Sequence, residues 1–176
     1  MDKTAQYRTA IIEFFSEIGL EAKPKPGAAG FIESTEIAGG VLFYDPDKAL
    51  PSNLLHEAGH LAVLPSQYRS WADGDLDETY PLIGDDVFRR YPADHPIMIR
   101  AMQSGEAETT AWAWAAGRHL GIPDDIIILD SEYGGEGANI RLHLQLNSYL
   151  GINGLRAGGM CSSVRDYPKM TYWLQV

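Results

Sequence analysis

The stretch Leu50-Pro-Ser-Asn-Leu-Leu-His-Glu-Ala-Gly-His-Leu-Ala-Val-Leu64 decides how the rest of the chain is arranged. At its centre, His56-Glu57-Ala58-Gly59-His60 has the spacing H-E-x-x-H. Residues four apart on an α-helix lie on one face, one turn above the other. On a helix, then, His56 and His60 can aim both imidazoles at a single zinc ion, which accepts nitrogen ligands in tetrahedral geometry. Glu57 follows His56 by about 100° around the helix. That offset turns its carboxylate toward the metal's open position, where it can act as a general base without being a ligand.

The flanking residues suit a helix. Ser52 or Asn53 offers a side-chain cap and Pro51 is tolerated near the start. Leu50, Leu54, Leu55, Ala58, Leu61 and Ala62 supply a broad apolar surface, and Pro65 closes the element. Glu57 is the one charged residue between Lys48 and Arg69, and a carboxylate in so apolar a stretch needs a chemical reason.

Bulk properties frame this motif. A chain of 176 residues with 45% hydrophobic and 22% charged residues reads as an ordinary globular protein, a single domain over residues 1–176. The formal net charge of -10 works against non-specific attraction to nucleic acid or to an anionic membrane surface. One cysteine, Cys161, cannot form an internal disulfide, so a reducing cytoplasm is expected. No secretory signal and no apolar run near the roughly 20 residues of a membrane span is visible.

Around the motif the expected order is as follows. Thr4 to Ile18 reads as an amphipathic helix ended by Gly19, and Glu21 to Gly30 as a connection. Phe31–Ile37 and Val41–Tyr44 read as a β-hairpin turning at Gly39-Gly40. Gln67 to Asp94 reads as a solvated acidic loop that can flank or cover the cleft. Its aspartates lack the glycine and the closing glutamate of a calcium loop. Pro96 to Leu120 reads as helix with a break at Ser104-Gly105, and Asp124 as the cap of a short element. Ile140 to Leu150 reads as helix, with strand as the alternative.

Two histidines need a third protein ligand to hold a catalytic zinc. The helix after the acidic loop carries Glu106 and Glu108 among small residues that permit close approach to the motif helix. This pair of elements resembles a gluzincin metallopeptidase, in which a downstream helical glutamate completes the site. The order hairpin, motif helix, loop, second helix is most similar to the ImmA/IrrE-type family. The likeness runs from Val41 to Leu120, about half the chain. In such families the ligand glutamate is followed four residues later by Asp or Asn, then by an aromatic residue and an alanine. Glu106-Ala-Glu-Thr-Thr110-Ala-Trp112-Ala113 matches that layout with Glu106 as ligand, and Glu108 is the competitor. Thr110 stands where the family has a carboxylate or amide. A hydroxyl there accepts a histidine N–H more weakly than a carboxylate does.

The resemblance implies an α+β, zincin-like fold, with a small β-sheet packed on the H-E-x-x-H helix and a second ligand-bearing helix. It implies a hydrolase, a zinc-dependent metallopeptidase cutting a polypeptide substrate. His56, His60 and Glu106 would hold the metal and Glu57 would be the catalytic base and acid. The alternative is a non-catalytic protein-binding module on the same scaffold. His119, His143, Tyr149 and Tyr172 are candidate donors to a tetrahedral intermediate, and Arg141 or Arg156 a candidate partner for a substrate carboxylate. His95 reads as a helix-entry residue, Cys161 as structural, and Trp112 and Trp114 as packing residues, at least one of them buried.

Overall fold

A computed structural model describes residues 3–176. The chain is α+β. It opens with helix α1 (Lys3–Ile18) and three short strands, β1 (Ala22–Pro24), β2 (Thr35–Ala38) and β3 (Val41–Tyr44). The motif helix α2 (Pro51–Val63) follows, then α3 (Ser66–Arg69), α4 (Leu76–Arg90) and α5 (Pro96–Met102). Helix α6 (Glu106–His119) leads into α7 (Asp124–Ile127), a 3-10 turn at Tyr133–Gly135, α8 (Gly137–Gln145) and α9 (Leu150–Ala157).

The hairpin forms as its residues demand. Gly39 and Gly40 both take positive φ, 57° and 80°, the left-handed pair that a two-residue turn between twisted strands requires. Its first strand is shorter than expected and begins at Thr35. Ser34 adopts φ 64° and Phe31 is 83% exposed, so Phe31 to Ser34 form a bend instead. The segment after Gly19 is not simply a connection. Ala22–Pro24 pairs in parallel with β3 and completes a sheet ordered β1-β3-β2.

Helix α2 starts without the expected side-chain cap. Leu50 occupies the cap position and Pro51 the first helical turn, where its missing N–H costs nothing. Asn53 instead donates to the Glu33 carbonyl at 3.0 Å and ties the helix to the bend.

The largest correction concerns the acidic region. It is mostly helix: Asp75 caps α4 by accepting from the Asp77 N–H at 2.9 Å, and Leu76, Thr79, Ile83 and Val87 form its buried stripe. Acidic residues in its first turn and arginines in its last complement the helix dipole. Arg90 pairs with Asp86 one turn back at 2.8 Å. Pro81 lies inside the helix and masks it in sequence. The region expected as one helix over residues 140–150 is two, α8 and α9, separated at Asn147, which takes φ 53°. Pro123, not Asp124, is the cap of α7.

Helices α2 and α6 pack directly on one another. A Cβ on Gly59 would lie 2.8 Å from the Thr109 carbonyl oxygen, so glycine within the motif is what lets the two backbones meet. The C-terminal segment then closes over the pair. Gln175 N–H donates to the Ala62 carbonyl at 2.8 Å, and Trp112 Nε1–H to the Trp173 carbonyl at 2.8 Å. Trp112 and Trp114 are both buried. No described helix is long and apolar enough to cross a membrane.

Candidate metal centre

Helix α2 is buried on most sides, several of its polar residues included. Glu57 is 7% exposed and His60 6%. His56 and His60 stand one turn apart with Nε2 atoms 3.1 Å from each other and ring planes at 81°. The ligand atoms of His56, Glu57 and His60 all lie within 4.8 Å of one another, the described group suited to a metal ion.

Glu106, the first residue of α6, reaches the same point. Its Oε1 is 3.0 Å from His56 Nε2 and its Oε2 is 3.4 Å from His60 Nε2. Glu108 goes elsewhere. Its Oε2 accepts the Gly105 N–H at 3.2 Å, capping α6, and the rest of the side chain packs on Gly154 of α9. The Gly59 contact explains how Glu106 comes so close: without it, α6 would stand off from the motif helix.

Behind each imidazole is a phenol. His56 Nδ1 lies 3.0 Å from Tyr133 Oη, and His60 Nδ1 lies 2.7 Å from Tyr80 Oη and 3.2 Å from Thr109 Oγ1. The direction of the first chain follows from its far end. Thr110 Oγ1–H donates to the Glu106 carbonyl at 3.0 Å, so its oxygen accepts from Tyr133 Oη–H, also at 3.0 Å. Tyr133 Oη is then left as acceptor for His56 Nδ1–H. This assigns the proton to Nδ1 and leaves the Nε2 lone pair facing His60 and Glu106. The expected role of Thr110 is therefore corrected. It does not accept from a histidine itself but bonds to Tyr133, which stands against His56 Nδ1.

Two imidazole nitrogens and a carboxylate converging in this way could hold a metal ion. Burial opposes charge on His56, but the bonded Glu106 and the nearby Glu57 and Glu132 outweigh it and raise its pKa. Burial, then the positive charge of His56, push His60 down to about 3, with Glu106 opposing. Burial also works to raise Glu106, yet its hydrogen bond to His56 and the two imidazoles hold it below the usual carboxylate range. Burial drives Glu57 up to about 7, with His56 lowering it and Glu106 raising it.

The donor set can be tested against zinc. Ligands about 2.0–2.1 Å from a tetrahedral ion stand about 3.3 Å apart. The observed separations are 3.0, 3.1 and 3.4 Å. Two imidazoles and one carboxylate are a borderline set without the thiolates that select softer ions. Glu106 keeps a side chain 59% exposed, so the cluster opens to solvent on its side. The residues fit.

The chain matches no family model, and no curated protein or solved structure matches it.

Of the other sequence candidates, Tyr149 alone comes near. Its phenol is raised by burial, is hydrogen-bonded to Thr110 and senses Glu106. His119 packs between Phe14 and Trp173, His143 bonds Ser148 Oγ at 3.0 Å, and Tyr172 donates to the Gly158 carbonyl at 2.9 Å. None of these three lines the cleft, nor do Arg141 and Arg156. His95 caps α5, accepting from the Ile97 N–H at 3.2 Å. Cys161 is buried and its thiol is pushed up by that burial. Tyr80, Thr109 and Tyr133 are the residues that sequence reasoning missed. Tyr80 lies on the helix read as loop, and Tyr133 lies beside Gly134-Gly135 with no local signal.

Proposed function

We propose that this chain is a zincin-like, gluzincin-type peptide hydrolase, with zinc held by His56, His60 and Glu106. The observation that carries this reading is the meeting of two imidazole Nε2 atoms and one carboxylate at separations suited to a tetrahedral ion, with Glu57 beside them. Zinc bound there would supply Lewis acidity, polarising a carbonyl oxygen and acidifying water toward pKa about 7. The chain's own residues do the rest. Tyr133 and Tyr80 orient the imidazoles through their Nδ1 atoms. Glu57 takes the proton from the attacking water and delivers it to the departing amine. Its burial favours that exchange, since a carboxyl poised near neutrality both accepts and releases a proton readily. A cytoplasmic polypeptide is the proposed substrate.

The test combines metal analysis with hydrolysis of a peptide library. Wild type is expected to carry one zinc per chain and to cut peptides. Glu57→Gln is expected to keep the zinc and lose about 100- to 10,000-fold in turnover, the usual range for a general base. Glu106→Gln is expected to lose zinc. Zinc without turnover in wild type would overturn the peptidase reading and leave a non-catalytic protein-binding module.

A further inference from the structure

The space around the cluster is two lobes that meet at it. One, about 310 Å³, is lined by Ile32, Ala113, Ile127 and Ile128. The other, about 370 Å³, is lined by Glu57, Leu76, Tyr80, Asp75 and Asp77. Phe31, His56 and Glu106 line both, so anything lying across the candidate ligands enters both lobes at once. Phe31 stands at this junction with 83% of its surface in solvent, an aromatic side chain without cover on the protein itself.

The lobes differ in chemistry. The first is more apolar, its aliphatic groups joined by Ser52, Asn53 and Tyr133, and its Glu132 is already engaged by the Leu129 N–H at 3.0 Å. The second holds carboxylates and no lysine or arginine. Asp75 uses one oxygen on the Asp77 N–H, while among the described residues no ion pair engages Asp77. Glu57 is more than nine-tenths buried, faces this lobe, and has no hydrogen bond from a described residue. Asp75 and Asp77 are both exposed, so they attract a cation through solvent and in a salt-dependent way.

Resting on the reading of the site as a peptide hydrolase, we propose its substrate class. It is an extended polypeptide segment with a bulky aliphatic or aromatic side chain on one side of the scissile bond and a lysine or arginine on the other. The apolar side chain fills the Ile127–Ile128 lobe, and the cationic one enters the Asp75–Asp77 lobe. Phe31 covers the segment between them. Filling an apolar pocket discriminates by about 10- to 200-fold, and the charged lobe adds a salt-sensitive preference.

The test separates recognition from chemistry. Four labelled peptides of one scaffold, carrying Leu or Ser at the first position and Arg or Gln at the second, are titrated by anisotropy into zinc-loaded Glu57→Gln protein. The Leu/Arg peptide is expected to bind at least about tenfold tighter than either singly substituted one. Raising salt should erase the Arg advantage and spare the Leu advantage. Asp75→Asn, which keeps the helix cap, combined with Asp77→Asn should also erase the Arg advantage. Ala113→Met, or Ile128→Ala should the first not fold, should reduce the Leu advantage. Equal binding of all four peptides, or advantages unmoved by both salt and substitution, would overturn the inference. The cleavage map of wild type speaks to the other question. If the binding order holds and nothing is cut, the peptidase reading fails and the selectivity of the cleft stands.

Discussion

Glu57 sits among apolar neighbours, and burial is what moves its pKa up to about 7 from the ordinary carboxylate value of 4.5. The consequence for stability has a definite sign. A carboxyl raised on folding contributes stability that is fully present below pH 4.5 and is lost as pH rises through about 7. Metal-free Glu57→Gln is therefore expected to be more stable than metal-free wild type above pH 7, by about 2–3 kcal/mol, and no more stable below pH 4.5. Urea denaturation at the two pH values measures this. A second prediction belongs to Tyr133. Loss of a group that orients a ligating imidazole typically weakens metal binding about 10- to 100-fold. Tyr133→Phe removes the acceptor of His56 Nδ1–H and is expected to weaken zinc by that factor in a chelator competition, leaving the fold intact.

At the scale of elements, the decisive contact is between α2 and α6. Gly59 has no room for a Cβ because the Thr109 carbonyl oxygen would be 2.8 Å away, and backbone cannot step aside as a side-chain end can. Gly59→Ala is expected to cost about 1–3 kcal/mol by overpacking and to weaken zinc, since Glu106 rides on α6. Gly84 is the internal contrast. It lies within α4 with nothing inside 4 Å of a built Cβ, so Gly84→Ala should stabilise by about 0.5–1 kcal/mol. Thermal melts of the two variants should move in opposite directions. The two helices also differ in how much their sequences disclose. The apolar surface around His56 and His60 is continuous, and α2 is plain from its own residues. Helix α4 carries Pro81 and a dense run of acids, which imitate a loop. Its Leu76, Thr79, Ile83 and Val87 stripe has helical spacing, but the breakers conceal it.

Across the whole molecule, the site draws on segments far apart in the chain. His56 and Tyr133 are 77 residues apart, and His60 and Tyr80 are 20 apart. The motif, the break at Ser104-Gly105 and the hairpin were legible because each is a local pattern of spacing or turn chemistry. The layout after Glu106 favours that glutamate but leaves Glu108 open, and which phenols stand behind the imidazoles depends on packing between distant elements and leaves no local trace. Glu106 and Glu108 are two residues apart in one helix, and the Gly105 N–H that engages Glu108 separates their fates only in three dimensions. The C-terminal segment shows the same principle. It bonds to both helices of the site, and its Trp173 ring meets Phe14 edge-on with centroids 5.1 Å apart. Trp173 is only partly buried, so Trp173→Ala is expected to cost less than the ~3–5 kcal/mol of a core tryptophan and to lower the denaturation midpoint with or without zinc.

The phenols behind the two histidines have one more consequence. A carboxylate in their place would push electron density through the ring and make Nε2 a stronger base. Tyr80 and Tyr133 are uncharged, with phenols that burial keeps protonated well beyond neutral pH. Each ring is steered without being enriched, so a divalent guest held there would keep more of its electrophilic appetite than it would in an anion-backed cage.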